Sequence, residues 1–325
     1  MAKEPKTLQE AILHFSNPTA CREYLVARRW PNGVACPRCG SDKVAFMEKY
    51  NRWQCNSKTH KDRQFTSKTG TIFEDSPLGL DKWLAAMWLI VNCKNGVSSY
   101  EVARDLEVSQ KSAWHMLHRI RLAMQNGTTT KLSGEVEADE TFIGGKIANM
   151  HLDKQTRARM GKKRVGGTEG QTVVMGLLDR NTKQARVKVS QNNRAFHVRT
   201  NVIEHVEKGS KVYSDALRSY RNLPVDGYVH QFIDHTEAYV KGAVHTNGLE
   251  NFWSLLKRSL KGKYVSVEPF HLQAYCDEQA FRFNNRKDMS DSDRFDLAVR
   301  QIVGKRLTWA EVTGKVLECQ TRPTN

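Results

Sequence analysis

Three acidic residues stand in three well-separated segments: Asp139 in GEVEADETFIGGK, Asp215 in KVYSDALRSY and Glu250 in HTNGLENFWSLLKRSLKGKY. The first two close short apolar runs that read as strands. The third lies on a strongly two-sided helix. Taken singly, each has an ordinary explanation: a turn residue at a strand end, or a solvated helical glutamate. Taken together they are oxygen ligands, and hard divalent cations choose oxygen. In a basic chain, such a set points to phosphodiester chemistry on nucleic acid.

A second constellation lies upstream. Cys36-Pro-Arg-Cys39 is followed by Cys55 and then His60. Cys-x-x-Cys lets two thiolates reach one tetrahedral ion. The segment predicts a zinc ribbon, too small to fold without its metal, holding one Zn²⁺ per chain. A four-cysteine ribbon would want a cysteine at Lys58. His60 is the nearest soft ligand and is expected as the fourth. The competing reading is a redox Cys-x-x-Cys with Cys55 and His60 as bystanders. Redox motifs follow a strand and open a helix, whereas Pro-Arg-Cys-Gly-Ser reads as a turn. Cys21, Cys93, Cys276 and Cys319 lack a partner pattern and read as core thiols.

These residues need elements to hold them. The chain has 325 residues, 39% hydrophobic and 26% charged, which is ordinary globular composition. Its net charge is +16. Residues 1–134 hold 20 Lys/Arg against 12 Asp/Glu, and residues 135–325 hold 31 against 23. The surplus is spread over both halves, which suits an extended polyanion touching more than one domain. No membrane span and no signal peptide are read in the chain. Clustered rather than paired cysteines point to reduced thiols and a cytoplasmic setting.

Five parts are expected. Residues 1–33 form a helical segment, with 7–30 helical, Leu8, Ile12 and Leu13 on one face, and Pro31-Asn32-Gly33 as the stop. Residues 34–72 form the zinc ribbon. Residues 73–130 are helical and contain a helix-turn-helix pattern. Residues 131–286 are α/β, with strands over 135–143, 172–179, 185–190, 211–214 and 228–233 and helices near 195–207, 245–261 and 268–283. A basic insertion, 144–168, carries seven Lys/Arg and one Asp. Residues 287–325 form a helical extension packing on that domain.

In the helix-turn-helix pattern, Ser109 is placed to cap the second helix. Gln110, Lys111 and Ser112 then stand where a recognition helix meets base edges, and Arg119 and Arg121 are expected at phosphates. A plain helical hairpin is the alternative. The Glu250 helix is divided more sharply. Leu249, Trp253, Leu256 and Leu260 form one stripe, and Asn247, Glu250, Ser254, Lys257 and Lys261 the other. Asn247 and His245 border the carboxylates, Asn247 as a DNA contact or a helix cap. Lys257 is assigned to phosphate, against an ordinary surface lysine.

The strings TGTIFEDSPLGLDKW, EVEADETFIGGK, VHTNGLENFWSLLKR and FRFNNR resemble the ISXO-like insertion-sequence transposases, in order and over nearly the whole chain. The resemblance implies a zinc ribbon and a helix-turn-helix before an RNase H-like mixed-sheet catalytic domain. It implies Asp139, Asp215 and Glu250 as a catalytic triad holding two Mg²⁺ (or Mn²⁺) ions. It also implies cleavage at element ends, followed by 3′-OH strand transfer into target DNA. Implied partners are double-stranded terminal inverted repeats and target DNA, bound by a homodimer or higher oligomer. Lys58 departs from the pattern and bears on the fourth zinc ligand alone. The rival readings are a transposase-derived DNA-binding regulator and a metal-dependent nuclease that does not join strands.

Overall fold

The computed structural model describes residues 4–125, 130–145, 152–159, 170–190, 192–215, 217–233 and 245–315. In chain order its α-helices are α1 (Leu8–Phe15), α2 (Pro18–Arg29), α3 (Leu80–Asn92), α4 (Ser99–Asp105), α5 (Gln110–Ala123), α6 (Leu152–Arg159), α7 (Ala195–His205), α8 (Asn247–Ser259), α9 (Leu272–Asn284), α10 (Asp291–Arg300) and α11 (Trp309–Val312). The strands are β1 (Val44–Met47), β2 (Arg52–Cys55), β3 (Gln64–Phe65), β4 (Glu135–Ile143), β5 (Thr172–Asp179), β6 (Ala185–Ser190), β7 (Lys211–Asp215) and β8 (Val229–Ile233). Most of the basic insertion 144–168, and Cys319, lie outside the described residues.

The chain divides into two units. One joins Met1–Gln125 to Asn285–Asn325; the other is Asn126–Asn284. The C-terminal helices therefore fold with the N-terminal unit, not with the α/β part as the sequence reading had it. α10 packs on α2 and α3. Phe295 on α10 meets Phe15, Tyr24 and Trp88 in one aromatic cluster. No local pattern in residues 287–315 announces that return.

The N-terminal helix also differs from expectation. Asn17 and Pro18 break the run in two. The Asn17 side chain accepts from the Thr19 and Ala20 amides, and Pro18 opens the next helix. The break turns α1 so that Ala11 and Phe15 are buried. The face shared by Leu8, Ile12 and Leu13 is exposed, at 39, 53 and 66%.

Downstream, α4 begins with a capping box between Ser98 and Glu101. Glu107 takes a left-handed turn at φ 51°, and Ser109 caps α5 by accepting from the Ser112 amide. The two helices pack on each other.

The second unit is built on a five-stranded sheet in the order β6-β5-β4-β7-β8. The pairs β6–β5 and β5–β4 are antiparallel, and β4–β7 and β7–β8 are parallel. This is an RNase H-like mixed sheet. α7 covers one face: Val198 and Val202 pack with Val136, Ala138, Met175 and Val212. α8 and α9 cover the other, where Leu249, Trp253 and Leu256 pack with Val174 and Leu178. β5 is apolar on both faces because it is covered on both. The α8 helix ends earlier than the periodicity suggests, passing into a π turn over Leu260–Tyr264.

Candidate functional site

β4 sorts its side chains by alternation. Val136 and Ala138 enter the core beneath α7. Glu137 and Asp139 face α8 instead: Glu137 Oε2 accepts from the Leu249 amide at 3.0 Å, and Asp139 Oδ2 accepts from Trp253 Nε1 at 2.9 Å. β7 runs parallel to β4, with Tyr213 level with Glu137. The β4–β7 pairing ends at that level; Asp139 and Asp215 each lie two residues further along, on the same side of their strands as Glu137 and Tyr213 by alternation. Glu250 is exposed in the first turn of α8, one residue past Leu249.

Asp139 feels its surroundings. Burial, opposed by the Trp253 hydrogen bond and reinforced by the charges of Asp215 and Glu250, pushes the Asp139 carboxyl up to about 6. Among the described residues, no cation forms a salt bridge with any of the three. An all-oxygen set suits a hard divalent cation.

Two further acids in this region were not singled out in the sequence. Glu137 is 2% exposed and paired with Arg180 at 3.0 Å. Glu140 accepts from the Tyr220 hydroxyl, and burial leads in pushing its carboxyl up to about 8. The string EVEADE held a signal for Glu137: acids at alternate positions 135, 137 and 139 share one face of a strand. Arg180 carried none, since it meets Glu137 only through the fold.

The glycines here set clearance. Gly176 lies directly across from Asp139 on β5. A Cβ there would stand 2.5 Å from the Trp253 ring. Glycine thus lets the indole lie on the sheet and reach the carboxylate.

In the other unit, the sulfurs of Cys36, Cys39 and Cys55 and a ring nitrogen of His60 lie within 4.8 Å of one another. Cys39 Sγ is 3.7 Å from Cys55 Sγ, and Cys36 Sγ is 3.4 Å from His60 Nε2. These match the edges of a tetrahedron around zinc, roughly 3.8 Å for S···S and 3.6 Å for S···N from ordinary Zn–S and Zn–N lengths. His60 Nδ1 is 3.1 Å from the Asp62 carbonyl. A proton on Nδ1 leaves the Nε2 lone pair facing the sulfurs. The Ser41 backbone amide leads in lowering the Cys39 thiol to about 6, which favours the thiolate a metal needs. The knuckle closes through Gly40, at φ 71°, whose amide bonds the Cys36 carbonyl. The chemistry of the donors and their spacing fit one zinc ion. Trp53 and Phe65 pack beside the cluster.

The residues expected on DNA are placed unevenly. Lys111 is exposed, its ammonium 4.7 Å over the Trp309 ring. Gln110 donates to Ser99, and Ser112 to the Ser109 cap by its amide. Asn247 is exposed and Lys257 half-buried on the Glu250 side of α8. His245, beside them, has its carbonyl and ring bonded by Arg180. Arg119 and Arg121 depart from expectation, since both are buried on α5, Arg121 at 1% exposure. Arg119 is 5% exposed and donates to the Leu307 and Glu74 carbonyls at 2.8 Å each. A guanidinium satisfied in the core does not reach a phosphate. Helical spacing alone did not separate it from a surface arginine.

Comparison with known proteins agrees with this geometry. Residues 131–284 match the ISXO2-like transposase domain, and residues 16–58 match the transposase zinc-ribbon domain. A protein in transposable element ISH50 of Halobacterium salinarum is 29% identical over 253 residues, which is 77% of this chain and 85% of the relative. A transposase-like protein of Haemophilus influenzae is 37% identical over 82 residues, 25% of this chain and 66% of its own. A chain from the simian T-cell lymphotropic virus intasome in complex with PP2A regulatory subunit B56 gamma aligns over 58% of this chain and 66% of its own. It is 8% identical with a TM-score of 0.29, too low an overlap to speak to fold.

Proposed function

We propose, for a chain that belongs to the ISXO2-like transposases, that Asp139, Asp215 and Glu250 are its catalytic carboxylates, holding Mg²⁺ or Mn²⁺. The reaction is cleavage of DNA at the ends of its element and joining of the freed 3′-OH to target DNA. The observation that carries this is placement. Asp139 and Asp215 come from neighbouring parallel strands, and Glu250 from the first turn of the helix whose Trp253 bonds Asp139. Bound divalent cations supply activation of the attacking oxygen and stabilisation of the leaving one. The protein's own part is to keep Asp139 ionised and aimed, with Trp253 donating to Oδ2. No side chain acts as a covalent nucleophile.

The remaining assignments follow the same reading. Cys36, Cys39, Cys55 and His60 hold one zinc within a ribbon spanning residues 34–72. Residues 73–130 supply a helix-turn-helix in which Gln110, Lys111 and Ser112 face DNA, and residues 131–286 are the catalytic domain. Lys257 and Asn247 extend the Glu250 face of α8 along the DNA backbone. The partner is double-stranded DNA: terminal inverted repeats first, then target. Two ends must be brought together, so the working form is a dimer or larger, acting in the cytoplasm.

The test is cleavage and joining on duplexes carrying the element's own ends, with Mg²⁺ or Mn²⁺. Asp139→Asn, Asp215→Asn and Glu250→Gln should each lower the rate by at least about 100-fold. A wild type that neither nicks nor joins removes the enzyme reading. Nicking without joining makes the protein a nuclease. A variant that keeps full activity removes its residue from the triad.

A further inference from the structure

We propose that Glu137 and Arg180 are positioning residues: a buried pair that ties together the three elements carrying Asp139, Asp215 and Glu250. The inference rests on the reading of those carboxylates as a cation site, and extends it to what holds them in register.

The first observation is a missing cap. Thr246 precedes α8 but makes no side-chain capping bond, so the first amides of the helix need another acceptor. Glu137 supplies one from the sheet. Its Oε2 takes the Leu249 amide at 3.0 Å, and its negative charge sits at the positive end of the helix.

The second is what occupies the other oxygen. Glu137 Oε1 accepts from Arg180 Nε at 3.0 Å. Arg180 also donates to the His245 carbonyl and lies 3.0 Å from His245 Nδ1. Its guanidinium carbon is 4.1 Å from the centre of the Tyr213 ring. Each of these partners precedes one proposed ligand, Glu137 and Tyr213 on the same strands and His245 in the segment that leads into α8. Glu137 is two residues before Asp139, Tyr213 two before Asp215, and His245 five before Glu250. One guanidinium thus touches the base of all three.

The third is close approach. A Cβ at Gly248 would stand 2.2 Å from Leu178 Cδ2 and 2.8 Å from Glu137 Oε2. Glycine at the second helical position lets α8 descend onto the carboxylate. A parallel rung follows at Trp253 and Asp139. Two residues of strand rise roughly 6.7 Å, and four residues of helix about 6 Å. Two rungs of matched spacing fix both the height and the rotation of α8, and so the direction of Glu250. A simple structural ion pair would explain the burial but not why its contacts fall beside each acid.

The test uses full-length, zinc-loaded protein, with Mn²⁺ binding followed by calorimetry and amide exchange followed over residues 246–252. Wild type and Asp139→Asn are the references; Glu137→Gln and Arg180→Lys are the tests. Glu137→Gln keeps the volume and loses the charge. Arg180→Lys keeps the charge and loses the fork, which covers the case in which Glu137→Gln fails to fold. We expect Mn²⁺ affinity to fall about 10–100-fold in both and exchange over 246–252 to quicken, with zinc content unchanged. Faster exchange with wild-type Mn²⁺ affinity would overturn positioning and leave a structural clamp. Unchanged exchange would overturn the clamp itself. If wild type binds Mn²⁺ no better than Asp139→Asn, the carboxylate reading has failed, and exchange alone decides the clamp.

Discussion

The two candidate metal centres contrast in how finished they are. In the ribbon, four soft donors already stand within 4.8 Å of one another at tetrahedral spacing. A backbone amide prepares one thiolate and a carbonyl orients the histidine. Around Asp139 the donors are hard oxygens contributed by three elements, and the charges of Asp215 and Glu250 add to burial in raising the Asp139 carboxyl. A closed cage belongs to a metal that holds a fold, because every coordination position is filled by protein. An open set of carboxylates leaves positions for a substrate, and its repulsion is relieved only when a cation enters. The contrast also shows in what surrounds each: aromatic packing at the ribbon, and a lattice of buried hydrogen bonds from Glu137, Arg180 and Trp253 at the carboxylates.

That contrast can be broken most sharply at the ribbon. Stripping zinc, or replacing Cys36 by Ser, should unfold residues 34–65, because structural zinc supplies about 10–16 kcal/mol in such modules. Zinc content should fall from one per chain to near zero, and new protease sites should open there while 131–284 stays protected. Unchanged zinc in Cys36→Ser would remove the site.

The carboxylate centre should behave in the opposite sense. The folded Asp139 carboxyl is raised above its unfolded value, so its contribution to stability is fully present below about pH 4. It is lost as pH rises through about 6. Asp139→Asn should therefore stabilise the metal-free protein at pH 7 by about 1–3 kcal/mol and leave it unchanged near pH 4. Mg²⁺ should raise the melting temperature of wild type and not of the variant. A destabilised Asp139→Asn at pH 7 would mean the acid is held for packing and not for a cation.

The smallest effect is expected one helical face further on. Lys257→Ala should weaken DNA binding modestly and reduce the salt slope of log K by about 1. An unchanged slope makes Lys257 an ordinary surface lysine.

Much of this was legible in the chain. Alternation in EVEADETFI marked β4, and the two-sided pattern after Asn247 marked α8. Cys-x-x-Cys with Cys55 and His60 marked the ribbon. Each is a local signal, repeating at the period of its own element or set by the reach of a short turn. Arg119 was misjudged because a helical face says which residues align, not what later covers them. The helical run over 7–30 is divided at Asn17–Pro18, where a capping side chain and a proline override the periodicity.

The sequence by itself determined the donor types, the elements that carry them and the basic character of the surface, because those depend on residue chemistry and short-range periodicity. Only the tertiary structure decided that the strands of Asp139 and Asp215 are parallel neighbours. Only it decided that Glu137 caps α8, that Arg180 joins three elements, and that residues beyond Asn285 return to the first unit. Those relations are made between residues tens to hundreds of positions apart. Pairing at that distance is set by which apolar faces bury together, and that is a property of the folded chain.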